Sequence, residues 1–413
     1  MLFRLTSLLG LFVFLFLAWA LSNNRWRVPW RTVGWGIALQ IAFALFILKT
    51  PVGEGLFAAV QHGVDRLNAF AGEGSSMVFG PLAQKESLAK VFGPGAYVFA
   101  FSITATIIVV SSISALLYHW GVLQRAVHGM AWVMRRLMKT SGSESLAAAT
   151  NIFLGQTESA LVIRPYVEHM TQSEIMALMT IGMATIASGV MAVYAQMGVP
   201  AGHLLTASVL SAPGSLLIAK IMFPETQESQ TTAAASSAVT RTTVNGIDAL
   251  CQGAAEGTTL AINIVGMLIA FVAVVAMANA MFAWAQGLFG MKEPATLQHI
   301  IGWLNTPFAW LMGIPWRDCP HVGELLGQRI VLNEFIGYRF LTEQKDSLDP
   351  RSFILASYAL CGFANFGSIA IQIGGIGAIA PNRRGDLARL GVRAMIGGLI
   401  SCYFSAALVG VIL

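Results

Sequence analysis

Residues 141–166, SGSESLAAATNIFLGQTESALVIRPY, are too polar for a simple membrane-spanning helix and too apolar for an exposed loop. Their polar centre runs from Asn151 to Glu158 and has apolar residues on both sides. This pattern predicts a re-entrant hairpin, which enters a membrane, turns at depth beside an enclosed or watery cavity and leaves by the same side. Residues 322–341 repeat the pattern, with Asn333 and Glu334 at their centre.

The composition of the whole chain supports a membrane protein. Of its 413 residues, 56% are hydrophobic and only 11% are charged, whereas soluble domains carry about 25% charged residues. So few charges cannot cover a water-soluble surface, which excludes a soluble globular protein, a disordered chain and a coiled coil. We therefore predict an all-α polytopic protein in a lipid bilayer. The net charge of +5 is attributed to cytoplasmic loops and not to nucleic-acid binding.

We predict about eight transmembrane helices, because a span needs about 20 mostly apolar residues. The eight apolar stretches are Leu5–Leu21, Val33–Leu48, Tyr97–Tyr118, Ile175–Met197, Leu204–Phe223, Thr258–Phe289, Ser352–Ile379 and Leu390–Leu413. Residues 51–94 have a mixed composition that suits interfacial helices and loops. The first stretch could also be a signal peptide, since Ala18-Trp-Ala20 resembles a cleavage site. The arginines that follow at 25, 27 and 31 favour a cytoplasmic end and an external N-terminus.

Each predicted hairpin is followed by an apolar stretch whose middle is polar or rich in small residues. The first such middle is residues 183–189, MATIASG, and the second is residues 361–368, CGFANFGS. The basic loops indicate that the first hairpin enters from the cytoplasm and the second from outside. A hairpin and a broken helix that recur with opposite topology are typical of inverted-repeat secondary transporters.

Two carboxylates, Glu158 and Glu334, lie at predicted bilayer depth, one in each hairpin. A charge there costs at least about 2.5 kcal/mol, which favours a functional role over a purely structural one. Carboxylates accept hydrogen bonds from sugar hydroxyls, and amides pair with the edges of a heterocycle, so the site suits a neutral, hydroxyl-rich solute. The neighbouring amides and hydroxyls are Gln156, Thr157, Asn365 and Ser368. A membrane-embedded hydrolase that uses the two carboxylates is an alternative.

A small cation is the second predicted ligand. Asn151, Thr185 and Ser188 provide oxygen atoms at depth, as do carbonyl groups freed where a helix unwinds, and such oxygens suit Na⁺. For Thr185 or Ser188 alone, a hydrogen bond to the helix carbonyl is the alternative. Phe363 and Phe366 could stack on a ring or pack against core or lipid. Four cysteines, seven histidines and the lack of a Walker A motif predict no zinc site, disulfide framework or other cofactor.

Three motifs together resemble the concentrative nucleoside transporters over nearly the whole chain. They are Asn151-Ile-Phe-Leu-Gly-Gln-Thr-Glu158, Leu332-Asn-Glu-Phe-Ile-Gly-Tyr338, and CGFANFGSIAIQIGGIG at 361–377 followed by Ala380-Pro-Asn-Arg-Arg384. The resemblance implies a non-enzymatic, Na⁺-coupled nucleoside importer of the bacterial inner membrane. It also implies a homotrimer in which a transport domain moves like an elevator against a scaffold.

The resemblance further implies roles for single residues and segments. A nucleoside such as uridine would meet Gln156, Thr157 and Glu158 through its base, Glu334, Asn365 and Ser368 through its ribose, and Val190 and Phe363 by packing. Na⁺ would lie at Asn151, Leu154, Thr185 and Ile186. The expected segments are scaffold (1–120), amphipathic cytoplasmic helix (121–140), first half of the transport domain (141–223), polar linker (224–255), long scaffold helix and extracellular segment (256–320), and second half of the transport domain with the last span (321–413).

The coupling ion has one further interpretation. Asn151 matches the sodium-coupled pattern, since proton-coupled relatives tend to have serine there. A proton-coupled carrier of the same fold remains the alternative, and a passive channel is another. We expect the choice among them to depend on Na⁺-dependent accumulation of unchanged solute.

Overall fold

The computed structural model describes residues 2–93, 98–231, 243–291 and 294–413, and these ranges contain helices and no strands. The first half comprises α1 (Leu2–Ala20), α2 (Trp30–Lys49), α3 (Pro51–Phe79), α4 (Lys85–Phe92), α5 (Phe99–His119), α6 (Val122–Met138), α7 (Gly142–Asn151), α8 (Glu158–Val162), α9 (Arg164–Val167), α10 (Gln172–Ala184), α11 (Ser188–Gln196) and α12 (Ala201–Met222). The second half comprises α13 (Gly246–Leu288), α14 (Leu297–Leu311), α15 (Cys319–Val331), α16 (Glu334–Glu343), α17 (Pro350–Leu360), α18 (Phe366–Ile379) and α19 (Arg384–Ile412).

The predicted spans correspond to helices of the structure. By length and apolar composition, six helical segments could cross a membrane within the described ranges: α1, α2, α10 with α11, α12, α13 and α19. The helix α5 continues at a bend of 74° into α6, and this pair is a seventh candidate. The remaining predicted span, Ser352–Ile379, corresponds to α17 and α18, which are separated by a break, so each helix alone is too short to span a membrane. The predicted start of the third span, Tyr97, and residues 232–242 of the polar linker lie outside the described residues.

The region after α2 is helical as expected, whereas α13 differs from its expected boundary. The mixed region after α2 contains one continuous helix of 29 residues, α3, which Thr50 caps by accepting a hydrogen bond from the amide of Gly53 at 3.0 Å. The helix α13 is 43 residues long and begins at Gly246, twelve positions before the predicted Thr258. At about 1.5 Å per residue, α13 is longer than the bilayer core is thick, so it extends beyond the membrane.

Both predicted hairpins are present. In the first, α7 ends at Asn151 and the chain turns through residues 152–157 into α8, which packs against α7. In the second, α15 and α16 pack together and are separated by Leu332 and Asn333. The Asn333 side chain accepts a hydrogen bond from the amide of Ile336 at 3.1 Å. Asn333 therefore caps the start of α16, and α15 and α16 remain two separate helices.

The hairpins start at opposite ends of the bundle. Near the start of α7, Thr32 donates a hydrogen bond to the Met138 carbonyl at 2.9 Å, which places this end beside the loop between α1 and α2. Near the start of α15, Ser7 donates to the Met312 carbonyl at 2.9 Å, which places it beside the first turns of α1. Because α1 connects the two ends, the hairpins enter from opposite sides, as an inverted repeat requires.

The second hairpin is fixed at its start by Asp318. Its carboxylate accepts hydrogen bonds from Ser352 Oγ at 2.6 Å and from the Asp349 amide at 3.0 Å, which ties the hairpin to the first turn of α17. Burial raises the pKa of the Asp318 carboxyl, but these hydrogen bonds and the neighbouring Arg317 outweigh burial. The pKa of Asp318 therefore lies below its usual value.

The two broken helices cross where each is unwound. The Phe363 amide, in the break between α17 and α18, donates to the Thr185 carbonyl in the break between α10 and α11 at 3.2 Å. Gly362 lies in the same crossing, and a Cβ there would approach the Met183 carbonyl oxygen to 2.7 Å. Only glycine permits this close approach of two backbones. The unwound segments thus meet inside the protein, where exposed backbone groups are tolerated.

Helix packing divides the structure into neighbouring groups. The helices α1 and α2 pack against α12 and α19, while α5 packs along α13. A buried ion pair joins Lys220 at the end of α12 to Glu144 in the first turn of α7 at 2.5 Å. Ser141 caps α7 reciprocally with Glu144, so the first hairpin is anchored at its start by polar contacts.

Candidate functional site

A cavity of about 1570 Å³ lies between the α5–α13 pair and the segments that contain the hairpins and broken helices. Both predicted carboxylates, Glu158 and Glu334, line it. The structure also brings to its wall the six other residues expected to contact a solute: Gln156, Thr157, Val190, Phe363, Asn365 and Ser368. The two halves of the chain therefore contribute to one chamber.

Glu334 is held by hydrogen bonds to both of its oxygens. Tyr194 Oη donates to Oε1 at 2.8 Å and Asn365 Nδ2 donates to Oε2 at 3.0 Å. The Glu334 side chain is buried, and the guanidinium of the fully buried Arg329 interacts electrostatically with its carboxylate. Two oriented donors fix the plane of the carboxylate, and its remaining lone pairs can accept hydrogen bonds from a solute.

Asn365 has a second role at the start of α18. Its Oδ1 accepts a hydrogen bond from the Ser368 amide at 2.8 Å, so the residue caps the helix while its amide nitrogen contacts Glu334. Ser368 is buried one turn along, beside the cavity. Phe363 is partly buried against the core, whereas Phe366 is 48% exposed. Of the two aromatic candidates, only Phe363 lines the cavity.

The first hairpin supplies the other wall of the cavity. Glu158 begins α8 and accepts a hydrogen bond from Thr157 Oγ1 at 3.1 Å. A Cβ at Gly155 would overlap the Glu158 carboxylate, so the glycine makes room for this side chain. The side chain of Gln156 accepts a hydrogen bond from Gln372 at 3.0 Å. Gln372 also donates to the Met179 carbonyl at 3.1 Å, which holds the hairpin tip against α10 and α18.

The predicted ion ligands lie together behind the hairpin tip. Asn151 and Thr185 are fully buried, and Asn151 Nδ2 donates to Thr185 Oγ1 and to the Ile181 carbonyl, the latter at 2.8 Å. Asn151 Oδ1 is also buried and has no hydrogen-bond partner among the residues that the structure describes. An unpartnered buried oxygen is costly unless a cation or water binds it. Leu154 lies in the turn between α7 and α8, and Ile186 lies in the break between α10 and α11. Among the described residues, no group of three histidine, cysteine or acidic side chains could hold a metal.

Three residues of the site were not predicted from the sequence: Tyr194, Gln372 and Arg329. Tyr194 and Gln372 each lie inside an apolar stretch where a single polar side chain is common. Arg329 carried a stronger signal, because it is an ionisable residue within a predicted hairpin. It donates to the Ala359 carbonyl at 2.5 Å and to Cys402 Sγ at 3.3 Å.

Three family models match consecutive parts of the chain. The model described as the C-terminus of Na⁺-dependent nucleoside transporters matches residues 203–410, and its N-terminal counterpart matches residues 9–82. A model described as nucleoside recognition, or Gate, matches residues 100–201. Together the three matches cover both hairpins and both broken helices.

Full-length relatives and solved structures are similar to the chain. An uncharacterized transporter of Haemophilus influenzae is 39% identical over 98% of this chain and 97% of its own length. The sodium/nucleoside cotransporter 1 of Mus musculus is 37% identical over 99% of this chain and 64% of its own length. A structure of CNTnw in an inward-facing substrate-bound state has a TM-score of 0.91 and 39% identity, and covers 99% of this chain and 97% of that one. A variant of CNTnw in an outward-facing state has a TM-score of 0.90.

Proposed function

The chain belongs to the Na⁺-dependent nucleoside transporter family, and from that premise we propose that it is a Na⁺-coupled symporter that concentrates nucleosides across the bacterial inner membrane. It is a multi-pass membrane transporter and not an enzyme. One observation carries the proposal: both hairpins contribute a carboxylate to the same cavity.

We propose that the cavity binds a nucleoside with its ribose toward the second hairpin. Glu334 would accept hydrogen bonds from ribose hydroxyls, with Asn365 and Ser368 beside it, because its plane is already fixed. The base would lie toward Gln156, Thr157 and Glu158, which offer amide, hydroxyl and carboxylate groups. Val190 and Phe363 would pack against the solute. A pre-oriented site loses little rotational freedom on binding, which favours affinity.

Na⁺ is proposed to bind at the first hairpin tip. Its ligands would be Asn151 Oδ1, Thr185 Oγ1 and the carbonyl groups of Leu154 and Ile186, all of which are neutral oxygens of the kind this ion prefers. The ion would fix the position of the tip and, through Gln156, the base side of the cavity. Na⁺ and nucleoside would then bind with positive coupling. Inward movement of one charge releases about 2.3 kcal/mol per 100 mV of membrane potential.

The moving and fixed parts of the carrier are also proposed. Alternating access by an elevator motion would move the hairpins and broken helices past the α5–α13 pair, because the cavity lies between these groups. Assignment of residues 1–120 to the scaffold stays a prediction, and the packing of α1 and α2 against α12 and α19 favours placing these two helices with the moving part. Only 11% of the residues in the most apolar part of α13 are buried within the single chain. We therefore propose that this helix forms contacts between the subunits of a homotrimer.

Uptake by proteoliposomes tests the function. Vesicles that contain the protein and receive an inward Na⁺ gradient should accumulate labelled uridine above equilibrium and return it chemically unchanged. Accumulation with a proton gradient in Na⁺-free buffer would instead support proton coupling. Release of free base or ribose would support the hydrolase that uses Glu158 and Glu334, and equilibration without accumulation would support a channel.

A further inference from the structure

The helix α6 has two faces of opposite character. Its buried side consists of Val127, Ala131, Met134 and Met138, which pack toward α2, α5 and α7. On the other side, Arg125, Trp132 and Arg136 are exposed at helical spacing, and the exposed Lys139 follows directly after the end of the helix. Because α6 leaves α5 at 74° and α5 spans the bilayer, α6 lies close to the membrane plane. A basic helix with this orientation is typical of interfacial helices.

The loop before α2 carries further exposed cations and leads to the end of α6. Arg31 Nε donates a hydrogen bond to the Leu137 carbonyl at 3.2 Å, so the start of α2 lies against the end of α6. Arg25 and Arg27 precede it in the loop and are exposed, as is Trp26, which is 97% exposed. We define the basic face by its cations and its two tryptophans: Arg25, Arg27, Arg31, Arg125, Arg136, Lys139, Trp26 and Trp132.

The cations of the basic face are available to an anion. Within the described residues, none of the six takes part in an ion pair with a carboxylate. Lys139 is moreover the one non-glycine residue of those ranges with a positive φ, +55°, a backbone conformation that glycine adopts more readily. The chain thus places a cation at the end of α6 where a glycine would fit with less strain.

We propose that the basic face binds the headgroups of anionic phospholipids in the cytoplasmic leaflet. The six cations of the basic face match the negative charge of such headgroups. Tryptophan rings beside them match the boundary between headgroups and acyl chains, where such rings concentrate. This interaction concerns neither the nucleoside cavity nor the Na⁺ ligands, so it is independent of the proposed transport function.

Thermal unfolding of the full-length protein in nonionic detergent tests the proposal. Titration with dioctanoyl phosphatidylglycerol should raise the melting temperature with saturation, whereas dioctanoyl phosphatidylcholine should not. The variant Arg125→Gln/Arg136→Gln/Lys139→Gln should need about 100-fold more phosphatidylglycerol for half of the effect, which is about fivefold for each lost cation. Its uridine binding should match that of the wild type, since none of these residues lines the cavity.

Two controls separate the basic face from general charge effects. The variant Lys49→Gln/Arg66→Gln/Lys90→Gln removes three exposed cations from helices other than α6 and should keep the wild-type titration. The variant Arg125→Lys/Arg136→Lys retains both positive charges and should also show the wild-type titration with phosphatidylglycerol. Equal stabilisation by phosphatidylcholine or by inorganic phosphate alone would overturn the proposal. So would an equal loss in the control triple variant, because the effect would then follow net charge and not this surface.

Discussion

The hydrogen bond from Tyr194 to Glu334 permits a sharp test of how the cavity binds its solute. Tyr194→Phe removes one of the two protein donors that orient the carboxylate, the one at 2.8 Å, and leaves the ring in place. Hydrogen bonds to charged groups contribute about 1.5–3 kcal/mol. If water replaces the lost hydroxyl, we expect a cost at the lower end of this range. That cost corresponds to a loss of about tenfold in uridine affinity.

Tyr338→Phe is the matched control for this change. Tyr338 is also fully buried, its ring centroid lies 4.3 Å from that of Tyr194, and its hydroxyl donates to the Ser357 carbonyl at 2.7 Å. Both variants lose one buried hydrogen bond, so both should lower the melting temperature. Only Tyr194→Phe should weaken uridine binding, measured by calorimetry in saturating Na⁺, while Tyr338→Phe should stay within about twofold of the wild type.

A ligand that lacks the 2′- and 3′-hydroxyls of the ribose tests which part of the solute this hydrogen bond affects. If Tyr194 acts by orienting Glu334 toward the ribose, then 2′,3′-dideoxyuridine should bind Tyr194→Phe and the wild type with equal affinity. An unchanged uridine affinity in Tyr194→Phe, or an equal loss for both ligands, would refute the assigned role of this hydrogen bond.

Three further changes test other parts of the site. Asn151→Ser shortens the side chain whose buried oxygen is proposed to bind Na⁺, so the Na⁺ concentration for half-maximal uptake should rise about tenfold; unchanged Na⁺ activation in proteoliposomes would remove Asn151 from the ion site. Gly155→Ala should displace the Glu158 carboxylate and weaken uridine binding with little change in melting temperature, and full affinity would show that Glu158 does not contact the solute. Asp318→Asn should lower stability at pH 7 by about 2 kcal/mol through weakened hydrogen bonds. Because the folded pKa of Asp318 is depressed, its stabilisation is complete above the unfolded value of about 3.9 and is lost as the pH falls through the folded value. The wild type and the Asp318→Asn variant should therefore converge in melting temperature at acid pH, and a constant difference down to acid pH would contradict this account.

The hairpins and the breaks in the helices were predictable because the signal is local. A polar centre inside an apolar stretch cannot face lipid, and the same pattern marked residues 151–158, 183–189, 333–334 and 361–368. The structure interrupts its helices in all four regions. The eight residues predicted to contact the solute were found on the same basis or through the family resemblance, and all of them line one cavity. Their individual roles stay predictions.

Residues that act through long-range contacts were not predictable in this way. Tyr194 and Glu334 are separated by 140 positions and Gln156 and Gln372 by 216, so each pairing depends on how the two halves fold together. The length of α3 was not predictable either, because its many glycines weaken helix propensity and its packing against α2 and α5 outweighs that loss.

The central claim is that Na⁺ at the first hairpin tip completes the nucleoside site. The most direct measurement is the dissociation constant of uridine for the purified wild-type protein, determined calorimetrically in NaCl and in choline chloride at equal ionic strength. Positive coupling of the usual size predicts that uridine binds about 5–150-fold more tightly in NaCl. Equal dissociation constants in the two salts would contradict the claim.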